Sequence, residues 1–461
     1  MNGIKFFFLA NLVVAIAIGV LWKFGHKILP SPSVPELPDY WWGKVPQEAN
    51  KENHAIIPFK ISVNDEMLND LKERLKNTKL SDPLDGPAFN YGFNTKYLNE
   101  VLAYWRNQYD WKKEERRLNQ FPGFKTRIQG IDVHYLHVKP KDVPSNKKII
   151  PLLMVHGWPG SVVEFYHILP LLTTVDPKRD FVFEVICPHI PGYGFSEAPH
   201  KPGFGALAAA QLFNKLMERL GFTKYYSQGG DWGSLITAHL GMLYPERVLG
   251  IHITMMGGLS NTLMIKWVVG EWIPWLVVED KDYSKLYPIQ EKINFLARES
   301  GYFHLQASKP DTVGVALGDS PAGLAAYILE KFSTWTHKQN VDEHDGGLTK
   351  KYSLEELLTN VMIYWVSGSI TSSMRFYKES FLEYELQLDK VPIHVPAAVA
   401  SFPQEMLTFP QDFAEHRFTN LLQYNDMPRG GHFAAWEEPK LLADDIWAFV
   451  SKVENLPKQS K

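Results

Sequence analysis

Short apolar runs and longer amphipathic stretches alternate through the middle of the chain. KKIIPLLMVHG from Lys147, FVFEVICP from Phe181, TKYYSQGGD from Thr223 and RVLGIHITMM from Arg247 are brief and almost wholly apolar at their centres. Runs of that length bounded by Gly or Pro read as buried strands. Between the second and third lies ALAAAQLFNKLMERLG, whose apolar positions recur at helical spacing and which Gly221 closes at its C-cap. Strands alternating with helices predict a parallel sheet covered on both faces. From residue 259 to about 389 the alternation breaks into largely helical patterns crowded with aromatic residues, IKWVVGEWIPWLVV and IYWVSGS among them. It resumes with VPIHVPAAVA and ends in the helix of KLLADDIWAFVSKV. An insertion between sheet strands has the position of a lid.

Upstream of the sheet the pattern differs. ISVNDEMLNDLKERL carries a capping signal at Ser62 or Asn64 and places Met67, Leu68, Leu71 and Leu75 on one helical face. FKTRIQGIDVHYLHVKP alternates around Gly130 and predicts a hairpin. Before both runs LPSPSVPELPDYWWGKVP, a proline-rich linker or a strap held to the body by Tyr40, Trp41 and Trp42. Between Lys5 and Lys23 lies FFFLANLVVAIAIGVLW, apolar except for Asn11, with Trp22 near its end. That is the short end of a membrane span. A cleaved signal peptide fits less well, because the charged leading region is thin and no A-x-A site follows. The divisions expected are an anchor over 1–24, a strap over 25–57, an N-terminal domain over 58–146, a core over 147–258 and 390–461, and a lid over 259–389. Lys23 and Lys27 slightly outweigh Lys5 and the amino terminus, which favours a cytoplasmic body.

Composition narrows the function classes. With a formal net charge of -3 nothing suggests nucleic acid as a partner. One cysteine, Cys187, excludes an intrachain disulfide and a Cys-ligated zinc site. No HExxH, Walker A or dinucleotide fingerprint occurs, so neither metal nor cofactor is expected.

The candidate chemistry centres on SQGGDWGSL, residues 227 to 235, where a strand pattern turns helical. An Asp opening a helix after a Gly turn is ordinarily an N-cap. Gly229-Gly230-Asp231-Trp232-Gly233 also has the G-x-nucleophile-x-G spacing of a nucleophile elbow, with glycines where a sharp turn tolerates no side chain. Glu405 in SFPQE, read alone, is a solvated helix-start acid, and His432 in MPRGGHFAAW an ordinary loop histidine. Their joint order, nucleophile, acid, then histidine, is that of α/β-hydrolases. HGWPG at 156 to 160 follows an apolar strand where an oxyanion loop would sit. Pro159 has no N–H, which leaves the backbone of Trp158 as donor, beside that of Trp232. A Trp158–Pro159 cis bond is compatible with the pattern.

HGWPG, PHIPGYGFSEAP, GGDWGS, GYFHLQASKPDT, SSMRFYKES, FPQE and RGGHFAAWEEP, in that order, resemble the microsomal epoxide hydrolase family, on its insect juvenile hormone epoxide hydrolase side. The resemblance covers essentially the whole chain. It implies an α/β-hydrolase fold with a helical lid insertion, an N-terminal wrapping domain and an N-terminal anchor in the endoplasmic reticulum membrane. It implies Asp231 as nucleophile, His432 as base and Glu405 as its orienting acid. Trp158 and Trp232 would supply the oxyanion hole, and Tyr302 and Tyr377 would be lid acids. Composition does not choose those two among 20 tyrosines. The partners implied are a lipophilic epoxide, juvenile hormone above all, water, and the membrane.

The residue types suit that chemistry. A carboxylate attacks without a base, and tyrosine, with a pKa near 10, is a proton donor at neutral pH. Histidine then activates water against the resulting ester. Two alternatives stay open. A haloalkane dehalogenase shares the Asp nucleophile and would bind halide at Trp232, and an inert membrane-bound carrier of hydrophobic ligands would need no chemistry. A serine-type esterase is weaker, because the elbow holds Asp.

Overall fold

The computed structural model describes residues 33–46, 52–257, 260–381, 388 and 390–457. The anchor expected over 1–24 lies outside the described residues.

Among the described residues nine strands form one sheet: β1 (Ile57–Phe59), β2 (Gly123–Ile128), β3 (Ile131–Val138), β4 (Lys148–Val155), β5 (Phe181–Pro188), β6 (Tyr225–Gly229), β7 (Val248–Ile253), β8 (Ala397–Ser401) and β9 (Leu421–Asp426). Their spatial order is β1-β2-β3-β5-β4-β6-β7-β8-β9. From β5 to β9 every pairing is parallel. The predicted parallel core is therefore present, and the upstream segment extends it: β1, β2 and β3 join antiparallel at the β5 edge. The β2–β3 hairpin turns at Gln129 and Gly130, whose φ values of 51° and 86° give the doubly positive geometry of a tight hairpin turn.

Parallel strands buried on both faces need apolar side chains on both, and β5 follows that rule from Phe181 to Pro188 with only Glu184 partly exposed. The helices Ala206–Arg219 and Trp232–Leu243 cover one part of the sheet, and Pro439–Glu454 closes the fold with Leu442, Ile446, Trp447 and Phe449 buried. In the upstream helix Asp65–Lys76 the cap is Asn64, whose side chain accepts the Met67 N–H. Leu71 and Leu75 are buried and Leu68 is partly so, but Met67 is 37% exposed. It lies in the first turn, off the inward stripe.

Two of the three aromatics expected to hold the strap meet the body: the Trp41 ring lies against Gly130 and Trp42 is buried, while Tyr40 is 50% exposed. Trp42 packs edge-on against Phe204 and bonds through its backbone to Gln129 and His200. The helical insertion between β7 and β8 roofs the C-terminal edge of the parallel strands. Its helices Gly301–Ser308, Pro321–Thr334, Leu354–Ser367 and Ile370–Ser380 carry most of the aromatic side chains that face the elbow.

Candidate active site

The elbow sits at the end of β6, in the middle of the parallel sheet. Asp231 has φ +50° and ψ -125°, a conformation that side-chain-bearing residues rarely hold and that concentrates at functional sites. Sterics explain the flanking glycines. A Cβ on Gly229 would lie 2.1 Å from the Gly233 carbonyl oxygen, and one on Gly233 would lie 1.9 Å from that of Val155. The turn is closed by backbone on both sides.

Asp231 does not cap its helix: its side chain makes no cap hydrogen bond. Its carboxylate turns the other way, and Oδ1 accepts the backbone N–H of Trp158 at 2.8 Å. Gly157 permits that approach, since a Cβ there would come within 2.3 Å of Oδ1. Trp232 opens the following helix, so its N–H is a first-turn donor without an intrahelical acceptor. The Trp158–Pro159 bond is cis.

Two loops beyond the last strands bring in the acid and the histidine. Glu405 follows β8, and His432 lies between β9 and the short helix Ala434–Glu437. The Gln404 N–H donates to the Gly430 carbonyl, stitching one loop to the other. Neither side chain is a solvated surface group. Glu405 is 1% exposed and its Oε1 lies 2.8 Å from His432 Nδ1, while His432 Nε2 lies 3.5 Å from Asp231 Oδ2. Burial alone would push the imidazole pKa down, but the carboxylates of Glu405 and Asp231 outweigh it and hold His432 well above its usual value.

From the roof, Tyr302 stacks on Trp158 at 5.1 Å between ring centroids and Tyr377 meets Trp232 edge-on at 4.6 Å. The two tyrosine rings are 5.8 Å apart. Burial, reinforced by the Asp231 charge, raises both phenols well above their ordinary value, so both stay protonated. The Tyr377 hydroxyl is buried without a well-formed hydrogen bond and interacts with that of Tyr302. These contacts bring the seven residues singled out in the sequence together.

Other residues support it that the sequence did not single out. Glu437 accepts the backbone N–H groups of Gly431 and Phe433, each at 2.8 Å, and so brackets His432 on both sides. Trp335 packs its ring against His432 at 4.9 Å and accepts the His432 backbone N–H. An acid five residues after a histidine is a weak signal, and Trp335 stands far away in sequence. Among the described residues no group of three His, Cys, Asp or Glu side chains is placed to hold a metal ion. A surface cavity of about 750 Å³ lies apart from these residues, between the Pro191–Phe204 loop and the roof, with Phe376 in its wall. Phe376 packs on Trp232, so one side chain separates the cavity from the elbow.

A carboxylate held by an amide, a histidine backed by an acid and two phenols opposite make a set for covalent catalysis followed by ester hydrolysis. Comparison with known proteins gives the family. Residues 56–165 match the family described as "Epoxide hydrolase N terminus", and residues 150–439 match "alpha/beta hydrolase fold". The chain is 50% identical to "Epoxide hydrolase 1" of Oryctolagus cuniculus over 97% of its own length and 99% of the relative's. The chain belongs to the microsomal epoxide hydrolase family. It is also 50% identical to "Juvenile hormone epoxide hydrolase 1" of Ctenocephalides felis, over 96% of this chain and 95% of that one. The crystal structure of juvenile hormone epoxide hydrolase from Bombyx mori superposes with a TM-score of 0.88 at 43% identity, covering 91% of this chain and 99% of that one. Within the family frame the chain is an epoxide hydrolase, acting on an epoxide and water. The dehalogenase, esterase and inert-carrier alternatives fall away.

Proposed function

We propose that this epoxide hydrolase opens a long, apolar terpenoid epoxide, juvenile hormone being the leading candidate, through an ester on Asp231. The observation that carries the two-step route is the placement of Asp231 between an amide donor and His432, with Tyr302 and Tyr377 opposite.

In the first step an Asp231 oxygen attacks an epoxide carbon and the C–O bond breaks. The freed oxygen takes a proton from the tyrosine pair, which His432, held charged between two carboxylates, restores. The negative charge on Asp231 disappears as the ester forms, so the imidazolium loses one of its two carboxylate partners at the moment it gives up its proton. His432 emerges neutral, with Nδ1 still bonded to Glu405 and Nε2 free to act as a base. In the second step it takes a proton from water, the oxygen attacks the Asp231 carbonyl carbon, and the backbone donors of Trp158 and Trp232 receive the oxyanion. Collapse releases the diol and restores the carboxylate and the imidazolium. Charge and protons balance over the cycle.

The substrate class rests on the aromatic walls of the site, Trp158, Trp335, Phe303, Phe376 and Phe381, and on the insect relatives named for that hormone. Identity to the rabbit and flea relatives is equal at 50%, so whole-chain identity does not choose between substrates. The decisive measurement compares kcat/KM for juvenile hormone with that for small styrene-type epoxides on one preparation. Preference for the small substrates ends the hormone reading and leaves the enzyme class intact.

The apolar run from Phe6 to Trp22 supports attachment to the endoplasmic reticulum membrane with the catalytic body in the cytoplasm. Deleting residues 1–24 should release much of the protein from microsomes with turnover retained. Folded, released but inactive protein would show that the segment is more than a tether.

A further inference from the structure

Two glycines, Gly430 and Gly431, lead directly into His432, and Gly430 holds φ +104°. Backbone without side chains fixes its own course poorly, so the direction of the imidazole has to be set from elsewhere. Three successive amides are all bound by groups outside the loop. The Gly431 N–H donates to Glu437 Oε2 at 2.8 Å, the His432 N–H to the Trp335 carbonyl at 3.0 Å, and the Phe433 N–H to Glu437 Oε1 at 2.8 Å. One carboxyl therefore holds both neighbours of the base, and the roof holds the base itself.

Helix capping explains only half of this. Glu437 ends the single turn Ala434–Glu437, and an acid in a first turn ordinarily serves the amides of its own helix. The Phe433 amide fits that description. The Gly431 amide lies outside the turn, on the far side of the histidine. Glu437 is buried, and the Tyr352 phenol that interacts with it lies 2.7 Å from Thr336 Oγ1, so the roof supports the carboxyl as well. Burial pushes its pKa up to about 8, against the two amides and the His432 charge. In either protonation state it offers an acceptor oxygen to this loop.

We propose that Glu437 is a positioning residue for the hydrolytic half-reaction, whose carboxyl keeps His432 aimed at the water that cleaves the ester. The inference rests on the ester route above. In the resting enzyme the imidazole faces two carboxylates, Glu405 at 2.8 Å from Nδ1 and Asp231 at 3.5 Å from Nε2. Forming the ester removes the Asp231 charge and with it the second anchor. The bond from Nδ1 to Glu405 then remains, but one bond lets the ring swing about it, while Nε2 has to face a water beside the Asp231 carbonyl carbon. What still fixes the ring is the backbone beneath it, clamped by Glu437. The first half-reaction has no such need, because Asp231 is anionic without help and the tyrosines carry the proton. Glu437 exchanges no proton with water or substrate and acts only through His432.

Single turnover separates the halves, with ester formation followed by tryptophan fluorescence and ester loss by quenched-flow mass measurement. Glu437→Leu removes both acceptor oxygens, whereas Glu437→Gln keeps one, together with the size and polarity of the side chain. In Glu437→Leu ester hydrolysis should fall about tenfold to a hundredfold, with ester formation within about twofold of wild type. Glu437→Gln should lose about threefold or more in hydrolysis and less than Glu437→Leu. A second measurement asks whether the carboxyl works through the histidine. Added to His432→Gln, Glu437→Gln should change the lifetime of the ester by less than about twofold, because the group it positions is gone. Wild-type hydrolysis in Glu437→Gln, an equal fall of both half-reactions, or full additivity in the double variant overturns the proposal. If His432→Gln itself forms no adduct, the ester route has failed rather than the role of Glu437.

Discussion

Replacing Tyr377 by Phe removes one oxygen atom from the roof and separates activity from stability. That hydroxyl is buried without a well-formed hydrogen bond, so the resting protein bears part of its desolvation cost, ~1–3 kcal/mol for a fully unsatisfied group. Phe keeps the ring and with it the edge-on contact to Trp232. Stability should stay level or rise by up to about 1 kcal/mol, a shift in Tm of roughly 1–2 °C for a chain this long. The opening of the epoxide should suffer instead. One donor to a developing oxyanion is worth ~3 kcal/mol, about a hundredfold in rate, although the remaining Tyr302 shares the load and brings the single loss down to ~10–100-fold. The double variant with Tyr302→Phe leaves that oxygen without a donor in an enclosed site, and ester formation should fall beyond ~1,000-fold. Stopped-flow tryptophan fluorescence after rapid mixing gives the rate, and differential scanning calorimetry gives Tm. Ester formation within threefold of wild type in the double variant would refute the assignment. A Tm lowered by several degrees in Tyr377→Phe would refute the reading of the hydroxyl as unspent.

Two further outcomes follow from the site. His432→Gln should still form the ester but not hydrolyse it, because neutral water is a poor nucleophile and Gln is no base. The peptide containing GGDWGS should then gain the mass of one epoxide, and an unmodified peptide with label from water passing straight into the diol would rule out Asp231 as nucleophile. Gly233→Ala should abolish soluble expression or cost ~4 kcal/mol or more, since its Cβ would sit 1.9 Å from a backbone oxygen that cannot move without breaking the sheet. Normal yield and an unchanged melting curve would show that the elbow is looser than its geometry.

The sequence by itself determined the periodic elements and their order. Apolar runs of strand length, the helix closed by Gly221, the cap at Asn64 and the hairpin at Gly130 are local, and each was legible because the chain within a few residues sets it. The elbow was legible for the same reason, since Gly229 and Gly233 stand at fixed distance from Asp231. For Glu405 and His432 only the order along the chain spoke, and read singly each passes for an ordinary surface residue. Tertiary structure decided what local pattern could not. It turned the Asp231 carboxylate away from its own helix and onto the Trp158 amide, which is 73 positions away. It joined the upstream hairpin to the core sheet, although antiparallel pairing to β5 leaves no mark within β3 itself. It also brought Tyr302 and Tyr377, indistinguishable by pattern from packing tyrosines, against Trp158 and Trp232, and placed Glu437 and Trp335 around one histidine. Such contacts join residues whose neighbours in sequence say nothing of each other. Burial and pairing in three dimensions, rather than spacing along the chain, make a carboxyl chemical.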